Sequence, residues 1–149
     1  MPIHGVDNVK KAIRARVKSI DKQLLNIWLD GLNNVADGTP IDEGATRNNW
    51  FLKVGSPFSG TTELKTGNNS LNLRMPKSVL GKKIFYANNK PNIGVLEFGG
   101  FPNPAKLGTW NSTTKSYEIH TKGGYSDQAV GGWVRRELKI MQLKVKKIR

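Results

Sequence analysis

Two histidines, His4 and His120, are the only imidazoles in the chain, and its eleven carboxylates include one adjacent pair, Asp42-Glu43. Acid–base catalysis needs groups of tunable pKa converging on one point. His4 falls within the first few residues and His120 within a polar arm, so nothing in the spacing sets either beside a catalytic partner. Neighbouring carboxylates point apart on a strand, and Asp42-Glu43 runs into Gly44, which is the chemistry of a turn. The doublets Gly99-Gly100, Gly123-Gly124 and Gly131-Gly132 lack the Lys-Ser/Thr or Rossmann context of a phosphate cradle. The absence of cysteine removes thiolate catalysis, disulfides and Cys-containing zinc sites. These residues predict no enzyme, no cofactor and no metal centre.

What remains is electrostatic. The formal charge is +13, and it is uneven: residues 1–75 hold 10 Lys/Arg against 7 Asp/Glu, residues 76–149 hold 14 against 4. A field of this kind attracts nucleic acid, acidic protein surfaces or anionic membrane and fixes no fold. The candidate contact residues are Arg135, Arg136, Lys139, Lys144, Lys146, Lys147 and Arg149, with Trp133 beside them. No zinc finger, helix-turn-helix or RNP-type aromatic box accompanies them. Nonspecific phosphate contact by counterion release and docking onto an acidic neighbouring subunit are therefore both open.

The elements that must carry these groups follow from periodicity. Val6, Val9, Ile13, Val17, Ile20, Leu24, Ile27/Trp28, Leu32 and Val35 recur at spacings of three and four, which predicts a long amphipathic helix over about residues 6–37. Asp7 is its expected N-cap, and Asp37-Gly38-Thr39-Pro40 its terminator, with Gly38 in the left-handed region and Pro40 unable to continue the ladder. Lys10, Lys11, Arg14, Arg16, Lys18 and Lys22 line its polar face, read as solvated ahead of a partner-binding stripe. Beyond Pro40 the texture becomes β-like, over about residues 48–122. Strands are expected at Asn49 to Val54, Ser70 to Met75, Ile84 to Ala87, Val95 to Phe98 and Ser116 to Thr121. The polar stretches Gly55 to Asn69 and Gly99 to Gly124 read as arms that pack in an assembly. Within the C-terminal segment, about residues 126–149, Val130, Trp133, Val134, Leu138, Met141 and Val145 have helical spacing, although from Leu138 onward the alternation also fits a strand or an extended tail. The whole is expected to be a single α+β domain spanning 1–149: a long N-terminal helix packed on a mainly antiparallel β-sheet, with extended arms and a C-terminal basic helix or tail. No apolar run reaches the roughly 18 residues that span a bilayer, and the first residues lack the apolar core of a signal peptide, so no membrane partner is expected and synthesis in the cytoplasm is.

Three stretches carry a resemblance. Thr39-Pro40-Ile41-Asp42-Glu43-Gly44-Ala45-Thr46-Arg47-Asn48-Asn49-Trp50, directly behind the long helix, resembles the "small-Pro-Val/Ile-Asp-Thr-Gly-x-x-Arg-x-Ser/Asn-Trp" junction of phage tail-completion proteins, the neck proteins related to minor tail protein Z. Tyr86 to Gly100 resembles their "Tyr-x-Asn-Asn-x-Pro-Tyr-x-x-x-Leu-Glu-Tyr-Gly", and Gly124 to Arg135 is similar to "Gly-Tyr-Ser-x-Gln-Ala-Pro-x-Gly-Met-Val-Arg". Glu43, Asn92, Val130 and Trp133 depart from these patterns, at turns and presumed contact points. On physical grounds the first stretch is a helix-to-strand corner: Pro40 stops the helix, Asp42 bonds its own following backbone, Gly44 permits the reversal, Trp50 buries, and Arg47 completes the motif. Glu97 and Gly99 belong to the second.

The resemblance implies a structural, non-catalytic subunit of the virion neck, made in the host cytoplasm. It implies a homo-oligomeric ring at the head-to-tail junction, touching portal, connector or head-completion proteins on one side and tail tube or tail terminator proteins on the other. The long helix and the arms would join neighbours, and the basic half would face acidic surfaces or the DNA passing through the channel. The alternative is a small basic nucleic-acid-binding protein.

Overall fold

The computed structural model describes residues 5–41, 44–65 and 76–148. The fold is α+β, as its patterning predicts. One helix, α1, spans Val6–Asp37, so at 1.5 Å per residue it is about 48 Å long. A 3₁₀ turn at Arg47–Asn49 leads into β1, Phe51–Val54, which pairs antiparallel with β2, Ile84–Ala87, in the register Phe51 to Ala87 through Val54 to Ile84. A short helix α2, Ile93–Phe98, follows. Then come two further antiparallel ribbons, β3 (Thr109–Asn111) with β4 (Ser116–Glu118) and β5 (Thr121–Lys122) with β6 (Tyr125–Ser126). The chain closes with α3, Trp133–Lys146. The β layer is thus three two-stranded ribbons instead of one continuous sheet.

The core sits where the second half of α1 meets everything else. Leu32, Val35 and Ala36 pack with Trp50, Leu52, Leu96, Ala129 and Trp133. α3 runs antiparallel to α1: Trp133 lies against Gly38, Met141 against Gly31, and Lys144 reaches Asp30. On the other flank Trp28 meets Tyr86 edge-on with ring centroids 5.1 Å apart, and the Tyr86 hydroxyl donates to the Trp28 carbonyl. Burial there pushes the Tyr86 phenol well above its ordinary range. Near the middle of α1, Asp21 Oδ1 accepts the backbone N–H groups of Val79 and Leu80, each at 2.8 Å, tying the loop before β2 to the helix.

Several local expectations need correction. Gly5, with φ 103°, occupies the N-cap position of α1, and Asp7 lies inside the first turn, where a carboxylate favours the positive end of the helix dipole. Gly38 is right-handed, φ −74°; its need for glycine is proximity, because a Cβ there would stand 2.6 Å from Trp133 Cδ1. Val95 to Phe98 is helix: Leu96 N–H bonds the Asn92 carbonyl at 3.0 Å and Gly99 N–H the Val95 carbonyl at 2.8 Å. A four-residue apolar run has no period long enough to separate strand from buried helix. Ser116 to Thr121 breaks after Glu118, and the polar stretch from Gly99 to Gly124 folds into the β3–β4 ribbon and β5. α3 continues to Lys146, so no strand begins at Leu138. The strand expected at Ser70 to Met75 lies outside the described residues, as do His4, Asp42, Glu43 and Arg149.

Candidate functional site

The corner after α1 is held by a relay of indole and hydroxyl groups. Thr39, buried, donates through Oγ1 to the Val35 carbonyl at 2.9 Å and accepts from Trp50 Nε1 at 2.8 Å. Trp133 Nε1 donates to the same Val35 carbonyl at 3.0 Å. Both buried indoles are therefore satisfied at the last turn of α1, where carbonyls lack helical partners. Gly44, φ 86°, makes the reversal, since only glycine enters that region without strain. Arg47 pairs with Asp37 across the corner, and the fully buried Asn49 donates to the Ala45 and Thr62 carbonyls at 2.6 and 2.7 Å while accepting the Thr62 N–H at 2.7 Å. The motif residues Pro40, Gly44, Arg47 and Trp50 are thus brought together, and what they do here is build a corner.

The second motif explains itself in the same way. α3 has no side-chain cap of its own, its N-cap being Gly132. Glu97 supplies one from α2: Oε2 accepts the Val134 N–H at 3.1 Å and Oε1 the Arg135 N–H at 3.1 Å, with Arg135 Nε at 3.0 Å. Arg135 also lies over the Phe98 ring, 4.6 Å from its centroid. Gly99 ends α2 with φ 79° and ψ −166°, a region essentially open only to glycine. Sequence reasoning placed Arg135 among the outward contact residues and missed that Glu97 engages it; a buried Glu between apolar neighbours was the available signal.

The remaining cations divide. Lys144 faces Asp30 at 3.6 Å. Arg136, Lys139, Lys146 and Lys147 are exposed; at 100° per residue the first three fall on the side of α3 away from Glu137 and Met141, which pack on α1, and Lys147 is the C-cap. A second cationic surface lies on α1, where every residue from Gly5 to Ser19 is exposed. The apolar seam beside it is exposed as well: Val9 is 59% and Ile13 57% accessible.

A cleft of about 740 Å³ opens between the corner, α2 and the β3–β4 ribbon, lined by Pro40, Thr46, Leu96, Phe101, Trp110 and His120 among others. Its histidine lies 3.5 Å from Glu118 and 3.6 Å from Asp127, and among the described residues no cluster of three His, Asp or Glu is arranged to hold a metal. Comparison with protein-family models, with curated proteins and with solved structures finds no match for this chain.

Proposed function

We propose that this chain is a non-enzymatic structural subunit of the phage virion neck, associating with copies of itself into a ring at the head-to-tail junction through which DNA passes. The observation that carries the reading is unclosed surface. Among the described residues Leu107, Trp110, Tyr117 and Ile119, together with Val9 and Ile13 of α1, are large hydrophobics that stand exposed. On the arm, Leu107 is 91% and Tyr117 73% accessible, and Trp110, 52% accessible, meets Tyr117 edge-on at 5.1 Å. Patches of this kind mark association surfaces. Heterologous contacts that close would make the ring, and the resemblance of the three motifs supports a place at the neck, with portal, head-completion, tail-tube or terminator proteins as neighbours.

The outward cations Arg136, Lys139, Lys146 and Lys147 favour a second reading, a small nucleic-acid-binding protein. The two separate in one experiment on the purified full chain. Negative-stain electron microscopy and sedimentation at tens of micromolar, run beside duplex binding at several salt concentrations, should give rings and weak duplex affinity. A monodisperse monomer that binds duplex tightly, with a steep salt slope, would replace the neck reading with the second one.

A further inference from the structure

The first half of α1 is exposed on every side. Residues 6–19 continue the seam that Ile27, Leu32 and Val35 bury further along the helix, yet they extend about 21 Å beyond it without covering. At 100° per residue, Val6, Val9, Ile13 and Val17 fall within an arc of about 80°. Lys10, Arg14, Lys18 and Lys11 fill the adjoining arc. Within this stretch five cations face a single carboxylate, Asp7.

That charge identifies the occupant. Among the described residues a second copy of the chain has little to offer it: of their nine Asp and Glu, only Asp7 lacks a partner within its own chain. Asp30, Asp37, Glu63 and Glu97 face Lys144, Arg47, Lys90 and Arg135. Asp21 holds the Val79 and Leu80 amides, Glu118 and Asp127 flank His120, and Glu137 accepts from Asn34 at 3.0 Å. Phosphate contact alone would use the cations and leave the aliphatic seam wet. A lipid interface would be met with Trp, Phe or Leu, and residues 6–19 contain none of the three. We infer that residues 6–19 of α1 lie in a groove of a different protein, one with an apolar floor and an acidic rim, in the helix-in-groove mode. This goes beyond the neck reading and does not depend on it.

The chain has no cysteine, so Ala12→Cys, off both arcs, takes a single fluorophore on the full-length protein. It is titrated with calcium-loaded calmodulin, an acidic protein with a methionine-lined groove that serves as a defined probe of this chemistry. A duplex of about 30 base pairs and vesicles with roughly 30% phosphatidylserine are run in parallel. Saturable calmodulin binding is expected, stronger than to duplex or vesicles, and reduced at least about tenfold both by Ile13→Asp with Val17→Asp and by Arg14→Glu with Lys18→Glu. Neither pair should alter the thermal stability of the core, because residues 6–19 are exposed throughout. The proposal is overturned if calmodulin does not bind, if the aspartates leave binding unchanged, if duplex or vesicles bind more tightly, or if sedimentation shows that the aspartates dissociate copies of the chain from one another. Rings are scored separately on the same variants, so failure here leaves the neck reading standing.

Discussion

Glu97 Oε1 accepts two hydrogen bonds from one residue, the backbone N–H of Arg135 at 3.1 Å and its Nε at 3.0 Å. The carboxylate is buried and the guanidinium is largely exposed, so the two partners do not matter equally. Glu97→Ala leaves two N–H groups at the start of α3 without acceptors and removes a carboxylate from the helix N-terminus. We expect a loss of about 2 kcal/mol, a fall in melting temperature of roughly 4–8 °C. Arg135→Ala should cost under about 1 kcal/mol, since solvent screens that side of the pair. Equal losses in the two thermal melts would show that the ion pair, and not the cap, is what Glu97 contributes.

Gly38 and Trp133 give a sharper case. Backbone conformation does not require glycine at this position, so an alanine meets only the indole, whose Cδ1 would be 2.6 Å from the new Cβ. The ring is buried and its Nε1 is committed to the Val35 carbonyl, leaving it no room to turn. Gly38→Ala should destabilise by about 2 kcal/mol through overpacking, measured by urea unfolding with the m-value unchanged. An unchanged midpoint would mean that α1 and α3 separate freely at this end.

The same pair shows what the sequence could and could not reveal. Periodicity placed α1 to within a residue or so and β2 at Ile84 to Ala87, because a repeat of 3.6 and a short β-branched and aromatic run are local signals. It did not show that the seam of α1 is used only from about Ile20 onward; burial depends on what else reaches the helix, and the ribbons and α3 reach only its second half. Gly38 looked like a helix terminator because the commonest reason for glycine after a helix is a left-handed turn, while the reason here lies 95 residues along the chain at Trp133. Glu97 and Arg135 were both picked out, one as a motif residue and one as a contact residue. Their relationship required α2 to be helix, which a four-residue run could not announce.

Thr39 joins the corner to the core through one hydroxyl. Thr39→Val keeps the shape and removes the acceptor of Trp50 Nε1, leaving a buried indole N–H without a partner at a cost of about 1–3 kcal/mol. Thr39→Ser keeps the relay and loses only a methyl, about 1 kcal/mol. Chemical denaturation should rank wild type, Ser and Val in that order, and the reverse order for Ser and Val would mean the methyl matters more than the hydroxyl.

Acidification should loosen the loop before β2. The Val79 and Leu80 amides hold the Asp21 carboxyl below its ordinary value of 3.8. A group whose pKa is depressed on folding contributes stability that is present above its unfolded value and is lost as pH falls through the lower folded one. The Val79 and Leu80 amide resonances should therefore move together below pH 3.8, and Asp21→Asn should abolish the shared titration. Independent movements of the two amides would mean that one carboxylate does not hold both.

Because residues 5–19 are exposed throughout, the first half of α1 should melt apart from the rest. Its helix has only backbone bonding and propensity to sustain it, and a stretch of that length is marginal in water. Ala15→Pro removes a ladder bond and clashes with the turn before it, at about 3 kcal/mol in a helix interior. That exceeds what the projecting turns can hold, so circular dichroism at 222 nm should fall at room temperature. The core from Ile27 to Ala36 does not share those bonds, and its cooperative transition followed by tryptophan fluorescence should keep its midpoint within about 1 °C. A common shift in both signals would show that the projecting half and the core fold as one unit.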